Sequence, residues 1–235
     1  MFAIAKRFRS SPVHQHRKNT TNTRGRTQRD DSPVHHARHK RTVPLCSPPV
    51  QRGMRGGKMV DLKTVYYDDK ITEIGVVSDT HIPARGLHIP SKVFQLFDGV
   101  QLILHAGDLV EDTVLEEFRA LAPVEAVAGN MDRGLLQKSL GRTKLIKIGS
   151  LSIGLLHGDI EGRRIDPDQV SGLFKPEKPQ AIVFGHLHEP ISEMHKGILF
   201  FNPGSVIDPR RSSKPSCGRL LINGSEISGE IFYID

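Results

Sequence analysis

Short hydrophobic segments alternate with polar or glycine-rich clusters from Glu73 to the end of the chain. Segments rich in β-branched residues predict ten strands, at Glu73–Ser78, Leu102–His105, Val124–Ala128, Thr143–Ile148, Ser152–Leu156, Ala181–Phe184, Ile191–Met194, Ile198–Phe201, Arg219–Ile222 and Ile227–Tyr233. Helices are predicted at Ser91–Phe97, Asp112–Leu121 and Asp166–Leu173, with Pro90-Ser91 and Asp112 as N-caps of the first two. Asn223-Gly224 predicts a type I′ hairpin. The order βαβαβ followed by hairpins is typical of an α/β domain.

Residues 1–60 differ from the rest, because they are rich in Arg, His, Ser, Thr and Pro and show no hydrophobic period. We predict a disordered basic tail over residues 1–60 and one folded domain over residues 70–235, without internal repeats. Three interpretations of the tail are open: an organelle presequence, an RNA-binding segment suggested by Arg52-Gly53-Met54-Arg55-Gly56-Gly57, or a translated leader upstream of a start at Met54 or Met59. We favour the third.

The charge of the chain is unevenly distributed. The whole chain has a formal net charge of +7. Residues 1–60 contain 14 basic and two acidic residues, whereas residues 61–235 contain 19 basic and 24 acidic residues. The basic character therefore belongs to the tail, and the part that folds is mildly acidic. This distribution argues against a protein that coats nucleic acid as a whole, and we expect nucleic-acid binding only through the tail.

The two cysteines and the hydropathy of the chain bear on its location. Cys46 and Cys217 form no C-x-x-C pair and are too few for a disulfide framework, which favours a reducing compartment. No apolar stretch approaches the roughly 18–20 residues of a membrane span, and Met1–Ala5 is too short for a secretory signal. We expect a soluble cytoplasmic protein without a membrane partner. The edge hairpins of the second half offer a surface for a homodimer.

Polar residues follow five of the predicted strands. The five endings are Asp79-Thr80-His81, Gly107-Asp108, Gly129-Asn130, His157-Gly158-Asp159 and Gly185-His186-Leu187-His188. The carboxyl ends of strands in an open α/β sheet share one edge, where ligands bind. We therefore expect seven side chains to meet there, and they are Asp79, His81, Asp108, Asn130, His157, His186 and His188.

Imidazole, carboxylate and amide donors without thiolate suit Mn²⁺, Fe, Ni²⁺ or Zn²⁺. Seven ligands exceed the needs of one ion but suit two ions about 3.5–4 Å apart that share a carboxylate, the arrangement that promotes in-line phosphoryl displacement. Taken singly, each ending has an ordinary interpretation as a turn, a helix cap or a surface histidine. The five endings together favour a metal site, and the glycines before Asp108, Asn130 and His186 fit a crowded cluster.

This ordered series of motifs closely resembles the calcineurin-like metallophosphoesterase superfamily over residues 73 to about 209. The segments Ser78–His81, Leu156–Asp159 and Phe201–Ser205 resemble its small single-domain branch of bacterial and archaeal phosphodiesterases, the YfcE type. The resemblance implies a metallo-dependent phosphatase-like fold, a four-layer α/β/β/α sandwich with a dimetal site at the strand ends.

The resemblance also implies roles for single residues. Asp79, His81 and His188 would hold the first metal, and Asn130, His157 and His186 the second, with Asp108 as the bridge. The metals would be two divalent ions, with Mn²⁺ preferred over Ni²⁺, Fe or Zn²⁺. A hydroxide between them would attack phosphorus, and Asp108, Asn130 and His186 would be the catalytic residues.

One position departs from the wider superfamily. Many of its phosphatases have His after the Asn, as a proton donor to the leaving group, whereas Met131-Asp132 follows Asn130 here. Loss of that donor favours a diester with a good leaving group, since proton donation is worth roughly 10²–10⁴ in rate. His105, Arg133 and Asp132 are candidate substitutes, and His88 and His195 are interpreted as non-ligands. We expect Asn202–Ser205 to turn beneath residues 185–188, and Arg210-Arg211 to be solvated.

Three functions follow from these residues. The first is a dimetal phosphodiesterase that acts on a small phosphate ester. The second is a catalytically weak binding scaffold like the small subunit of retromer, which has the same fold and an Asp-Leu-His-Ile-Pro run comparable to residues 79–83. The third is an RNA-processing enzyme, which depends on the basic tail alone. The complete ligand set favours the enzyme.

Overall fold

Strands alternate with short helices, and the computed structural model describes them over residues 51–55, 58–159, 165–212 and 214–234. The strands are β1 (Gln51–Arg55), β2 (Lys58–Tyr67), β3 (Glu73–Val77), β4 (Leu102–His105), β5 (Val124–Ala126), β6 (Thr143–Ile148), β7 (Leu151–Leu156), β8 (Ala181–Val183), β9 (Pro190–His195), β10 (Ile198–Pro203), β11 (Ser216–Asn223) and β12 (Glu226–Tyr233). The helices are α1 (Ser91–Leu96), α2 (Thr113–Arg119), α3 (Gly134–Leu140) and α4 (Pro167–Leu173). None of these helices is long and apolar enough to cross a membrane.

The strands form two sheets. The seven-stranded sheet has the order β1-β2-β6-β7-β8-β10-β9, and the five-stranded sheet has the order β12-β11-β3-β4-β5. Strands β3, β4 and β5 are parallel to one another, and so are β7, β8 and β10. Because parallel strands end at the same edge, each sheet presents the residues that follow its parallel strands along a single edge.

The hydrophobic residues form three layers of core. The middle layer joins the inner faces of the two sheets and includes Val76 and Leu104 from one sheet and Ile153 and Phe201 from the other. On the outer face of the five-stranded sheet, α1 and α2 bury residues such as Phe97 and Phe118. Helix α4 covers the outer face of the seven-stranded sheet with Val170 and Leu173. This is the predicted α/β/β/α sandwich.

Each of the ten predicted strands and three predicted helices is present within a few residues of its expected bounds. Pro90 and Asp112 are the N-cap residues of α1 and α2, although neither helix has a side-chain cap hydrogen bond. The hairpin near Asn223 is present too, but Asn223 pairs with Glu226, so Gly224 and Ser225 form the loop one residue later than predicted.

Strand β2 lies before the first predicted strand. The prediction has a disordered tail to residue 60, whereas β1 pairs with β2, and β2 pairs in parallel with β6. Leu62, Thr64, Val65 and Tyr67 of β2 are all buried, so burial on both faces hides the alternation by which a strand is detected. The rest of the predicted tail, residues 1–50 and 56–57, lies outside the described residues, and the three interpretations of the tail stay predictions.

Helix α3 was also not predicted. The helix has no buried residue, and Leu135 is 84% exposed. Leu136 and Leu140, one turn apart, pack against the core but are only partly buried, and two such positions in a seven-residue helix give a weak 3.6-residue period. Helix α3 nevertheless matters for the edge of the sheets, because it fills the connection between the Asn130 loop and β6.

Candidate metal centre

All seven side chains that follow the predicted strands lie together where the two sheets meet. Asp79 and His81 follow β3, Asp108 follows β4 and Asn130 follows β5, whereas His157 follows β7 and both His186 and His188 follow β8. Asp79, His81, Asp108, His157 and His188 are buried, His186 is half-buried and Asn130 is exposed. The cluster is therefore a buried group of titratable side chains with one side open to solvent.

The backbone of this cluster adopts left-handed conformations that most residues avoid. Positive φ angles occur at Asp79 (52°), His81 (47°), Asp108 (58°), His186 (68°) and His188 (59°). Such conformations are uncommon for residues with a side chain, and they concentrate at functional sites. They turn the chain abruptly at the strand ends, which brings ligands from different strands into one cluster.

Two glycines permit the close approach of the loops. A Cβ atom on Gly129 would lie 2.0 Å from Asp108 Oδ1, and one on Gly185 would lie 1.8 Å from Ser78 Oγ. Both distances are shorter than any tolerated contact, so only glycine fits at either position. The sequence-based interpretation that glycines before Asn130 and His186 make room for the cluster is consistent with these distances.

The first part of the cluster contains Asp79, His81 and His188, whose candidate ligand atoms all lie within 4.8 Å of one another. His188 Nδ1 donates a hydrogen bond to the carbonyl oxygen of Asp208, so Nε2 of the neutral ring has a lone pair. That Nε2 atom lies 3.1 Å from Asp79 Oδ1. Asp79 Oδ1 is buried and has no hydrogen-bond partner. A cation between these two atoms would satisfy both of them.

The second part of the cluster contains Asp108, Asn130, His157 and His186. His157 Nδ1 donates to the carbonyl oxygen of Ala106 at 2.7 Å. His157 Nε2 lies 3.3 Å from Asp108 Oδ2 and 3.2 Å from Asn130 Oδ1. Asn130 Oδ1 is also 3.1 Å from His186 Nδ1. His157 Nε2 thus faces two acceptor oxygens, so either a proton on this nitrogen or a metal ion has to lie between them.

The two carboxylates connect the two parts of the cluster. Asp108 Oδ2 lies 3.7 Å from His81 Nε2 as well as 3.3 Å from His157 Nε2. Asp79 Oδ1 also faces both sides, since it lies 4.0 Å from His157 Nε2. The ligand atoms of Asp79, Asp108 and His157 form a second group within 4.8 Å. Both carboxylates are therefore placed to be shared.

The charges of the cluster are strongly coupled. Burial alone would raise the pKa of Asp79, but His188, His81 and His157 outweigh it and hold the pKa below its usual range. The pKa of Asp108 is also lowered, because His157 outweighs the effect of burial. Burial would lower the pKa of His157, but Asp108 and Asp79 raise it to about 9. The site thus presents two ionised carboxylates to a cation.

The donor set fits two divalent cations of mixed nitrogen and oxygen coordination. It contains four imidazoles, two carboxylates and an amide oxygen, while the only described cysteine, Cys217, is not among the residues that form it. The ring nitrogens that do not face the cluster are held by backbone carbonyls at His157 and His188. Such hydrogen bonds orient metal-binding histidines and fix their tautomers.

The three candidate substitutes for the missing proton donor have other environments. His105 is fully buried, contacts Thr80 Oγ1 and Gly107 N, and burial lowers the pKa of its ring to about 3. Arg133 is exposed at the start of α3. Asp132 is buried and accepts hydrogen bonds from three backbone N–H groups. The side chains of His105 and Asp132 are therefore buried and already engaged in hydrogen bonds with neighbouring groups of the fold.

The remaining residues that were singled out in the sequence lie outside the cluster. Asn202 Nδ2 donates to Gly185 O at 2.9 Å, and Ser205 Oγ donates to Asp79 O at 2.7 Å, so residues 202–205 support the loops as expected. His195 bonds to Asp168 at 3.0 Å and His88 is exposed, so neither belongs to the cluster. Arg210 and Arg211 are exposed.

Two supporting residues were not predicted from the sequence. Arg142 Nη1 donates to Gly129 O at 2.7 Å, and Nη2 contacts both carboxylate oxygens of Asp159. Arg142 therefore ties the loop that carries Asn130 to the loop that carries His157. Asp208 acts through its backbone carbonyl on His188. A backbone acceptor has no sequence signal, and an arginine just before a strand has only a weak one.

We expect Arg142→Gln to weaken metal binding about tenfold while the protein stays folded, because a group that orients ligands typically contributes 10–100-fold to metal affinity. The affinity for Mn²⁺ is measured by calorimetric titration of the metal-free protein. Arg142→Lys should restore only part of the affinity, since an ammonium group lacks the forked donors of guanidinium. Arg133→Gln, which removes an exposed arginine nearby, is the control. Unchanged Mn²⁺ affinity in Arg142→Gln would contradict the role.

Comparisons with known proteins identify a family that matches this chain. The calcineurin-like phosphoesterase superfamily domain matches residues 73–225. A probable metallophosphoesterase of Methanothermobacter thermautotrophicus is 42% identical, over 67% of this chain and 90% of that protein. A phosphodiesterase of Methanocaldococcus jannaschii is 30% identical, over 56% of this chain and 82% of that protein. Wild-type Vps29 of Entamoeba histolytica, crystallised with Zn²⁺, is 27% identical with a TM-score of 0.58, over 69% of this chain and 98% of that chain.

Proposed function

Because the chain belongs to the calcineurin-like phosphoesterase superfamily, we propose that it is a dimetal-dependent phosphodiesterase that hydrolyses a small phosphate ester. The observation that carries the proposal is the pair of adjoining ligand groups that share Asp79. A relative named as a phosphodiesterase supports the proposed reaction. The missing histidine after Asn130 also favours a diester, because diesters with good leaving groups depend less on a proton donor.

The proposed ligand assignment follows the proximity of the side chains. Asp79, His81 and His188 would hold one cation, and Asn130, His157 and His186 the other. Asp108 would be shared, since its Oδ2 atom lies within 3.7 Å of ring nitrogens on both sides. We propose Mn²⁺ as the cation in both places, with Ni²⁺, Fe and Zn²⁺ as alternatives of the same donor preference.

Bound divalent cations would supply Lewis-acid stabilisation of the phosphoryl oxygens and would lower the pKa of an attacking water in line with the leaving group. The residues of the chain would orient the ester. Asn130 Oδ1 faces His157 and His186, so its amide nitrogen is left to donate to a phosphoryl oxygen as charge develops. His186 and Asn130 are the two members of the cluster that are not buried, so the substrate would approach on their side.

The raised pKa of His157 makes metal binding depend on pH. Below its folded-state pKa of about 9, His157 of the metal-free protein holds a proton, and a cation has to displace it. We expect Mn²⁺ affinity to rise from pH 6 to pH 8 and one proton to be released per binding event at this part of the site. Calorimetric titration in two buffers of different ionisation enthalpy measures both quantities.

The same pKa fixes the sign of the stability change. A pKa raised above the unfolded value stabilises the folded protein below about pH 6.5, and that contribution is lost as the pH rises through about 9. The metal-free protein should therefore melt at a lower temperature at pH 9.5 than at pH 6.5. His195→Gln, which removes a histidine outside the cluster, should behave like wild type. An equal melting temperature at pH 6.5 and pH 9.5 would contradict the expected stability change. Mn²⁺ affinity that is equal at pH 6 and pH 8 would contradict the expected pH dependence of metal binding.

The decisive test of the function combines metal content with hydrolysis of a bis-aryl phosphate diester. Wild type and His186→Ala are purified without chelator and assayed with added Mn²⁺. Two metals per chain and a diester turnover that the variant lacks would support the enzyme. A folded wild-type protein that binds at most one metal weakly, and hydrolyses neither diester nor monoester, would contradict it.

A second candidate function is a binding scaffold like the retromer small subunit. The likeness to Vps29, which covers 69% of this chain, is the observation that favours it. The two candidates differ in the expected turnover and in the need for both cations. The bis-aryl diester assay therefore separates them, because a scaffold would keep its fold without hydrolysis.

A further inference from the structure

A groove with a volume of about 890 Å³ opens beside the metal-ligand cluster. His186 belongs to both, since its ring lines the groove and its Nδ1 atom contacts Asn130. The volume lies within the range of sites that hold small organic ligands. A phosphorus atom at the cluster would therefore have one of its ester arms directed into this groove.

The floor of the groove is apolar and partly aromatic. Phe184 and Phe200 line it, and both rings are buried in the core beneath α4 with their centroids 6.4 Å apart. Leu187 and Ile191 are partly buried and pack against the same core. A flat ring can lie on such a floor, because apolar contact needs no particular hydrogen-bond pattern.

The groove also carries charges of both signs. Arg210 and Arg211 line it, and both are exposed. Within the described residues, Arg211 makes no ion pair, whereas Arg210 Nε lies 3.6 Å from Asp208 Oδ2. Glu189 and Glu193 line it as well. Guanidinium groups suit a phosphate, and carboxylates accept hydrogen bonds from the N–H groups of a heterocycle.

We propose that the groove binds a nucleotide as one ester arm of the phosphodiester substrate. The base would lie on the floor of the groove with its N–H groups toward Glu189 or Glu193, and the arm's own phosphate would contact Arg211. This inference rests on the proposed function, because the phosphorus to be attacked has to lie at the cluster. The substrate class is thus a 5′-phosphorylated dinucleotide.

The reaction balances without a further reactant. The oxygen of water forms a bond to phosphorus, and the bond between phosphorus and the 3′-oxygen of the arm breaks. The arm leaves as a nucleoside 5′-monophosphate after its 3′-oxygen takes a proton from solvent, since Met131 offers no proton. A sugar alkoxide is a poorer leaving group than a phenolate, so we expect a lower kcat for the dinucleotide than for the bis-aryl diester. The other product is a second 5′-monophosphate.

The experiment compares two dinucleotides and one small diester in the full chain. The substrates are pApA, ApA and a bis-aryl phosphate, assayed with Mn²⁺ on wild type, Arg211→Gln and Arg119→Gln. The last variant removes an exposed arginine of α2, which pairs with Glu116 and does not line the groove. Binding of AMP and of adenosine to the metal-free protein is measured in parallel by calorimetry.

We expect wild type to prefer pApA over ApA by about tenfold in kcat/KM, the size of one charged hydrogen bond to phosphate. Arg211→Gln should lose this preference through KM and bind AMP no better than adenosine, whereas Arg119→Gln should keep the preference and the bis-aryl turnover of wild type. Hydrolysis of the bis-aryl diester without any preference for pApA would overturn the groove assignment but leave the enzyme. AMP binding that depends on Arg211 without any diester hydrolysis would support the groove and overturn the function.

Discussion

Asp108→Asn is expected to reduce diester hydrolysis by about a thousandfold or more and to lower the metal content of the purified protein. The Asp108 carboxylate lies 3.3 Å from His157 and 3.7 Å from His81, so it is one of the two charges that face both parts of the cluster, and the one that we propose as the shared ligand. Asparagine keeps the shape but removes the charge and one acceptor oxygen. Loss of several kcal/mol of transition-state stabilisation corresponds to this reduction in rate.

The matched control for this change is Asp112→Asn. Asp112 is exposed at the N-cap of α2, and its side chain makes no cap hydrogen bond, while asparagine is an equally good N-cap residue. The control should keep full metal content and turnover. Metal content is measured by elemental analysis of dialysed protein, and hydrolysis is measured with the bis-aryl diester. Full activity and two metals per chain in Asp108→Asn would refute the shared-ligand assignment.

Asp132→Ala is expected to lower the free energy of unfolding by about 3–5 kcal/mol. The buried Asp132 carboxylate accepts hydrogen bonds from the N–H groups of Asp108 (2.9 Å), Val110 (2.7 Å) and Gly129 (2.8 Å). Alanine leaves three backbone donors without this partner, and each hydrogen bond to a charged group is worth roughly 1.5–3 kcal/mol. The sum is smaller than three full terms, because water reaches part of the loop.

Urea unfolding of the metal-free protein measures this loss. Asp132→Asn should be intermediate, since its amide oxygen keeps the hydrogen bonds of Asp108 and Gly129 while its NH₂ group opposes Val110 N–H. Met131→Ala is the control, because Met131 is 41% exposed and an exposed substitution changes stability by about 0.5 kcal/mol or less. Stability of Asp132→Ala within that range of wild type would show that Asp132 does not hold the two loops.

The positions that form the cluster could be predicted because two independent signals coincide at them. The residue type identifies side chains that can bind a metal, and the end of an apolar run identifies the end of a strand. Asp79 and His157 are therefore found without knowledge of how their strands pair. The two-sheet arrangement was predicted only from the resemblance to the family. The periodicity itself indicated only strands and helices, because apolar runs of this length do not specify which strands become neighbours.

The elements that were missed lack one of these signals. In the second half of β2, Thr64 is buried beside Val65 while Lys63 is exposed, so polar and apolar residues do not alternate there. Helix α3 has no buried residue. Arg142 acts across a sequence separation of 13 and 17 residues on Gly129 and Asp159, and such contacts depend on how loops of different sheets meet. How these loops approach each other depends on the packing of the whole domain, which local sequence patterns do not specify.

The cluster draws its ligands from both sheets, which has a consequence for the order of folding events. His81 and His188 lie 3.2 Å apart at Nε2, although 107 residues separate them in the chain. Contacts of such high sequence separation form late and slowly, because loop closure precedes any gain from them. A cation therefore finds its full set of ligands only after the sheets have docked. A cation bound at the cluster would therefore hold the two docked sheets together, and we expect it to slow unfolding while leaving the rate of folding almost unchanged.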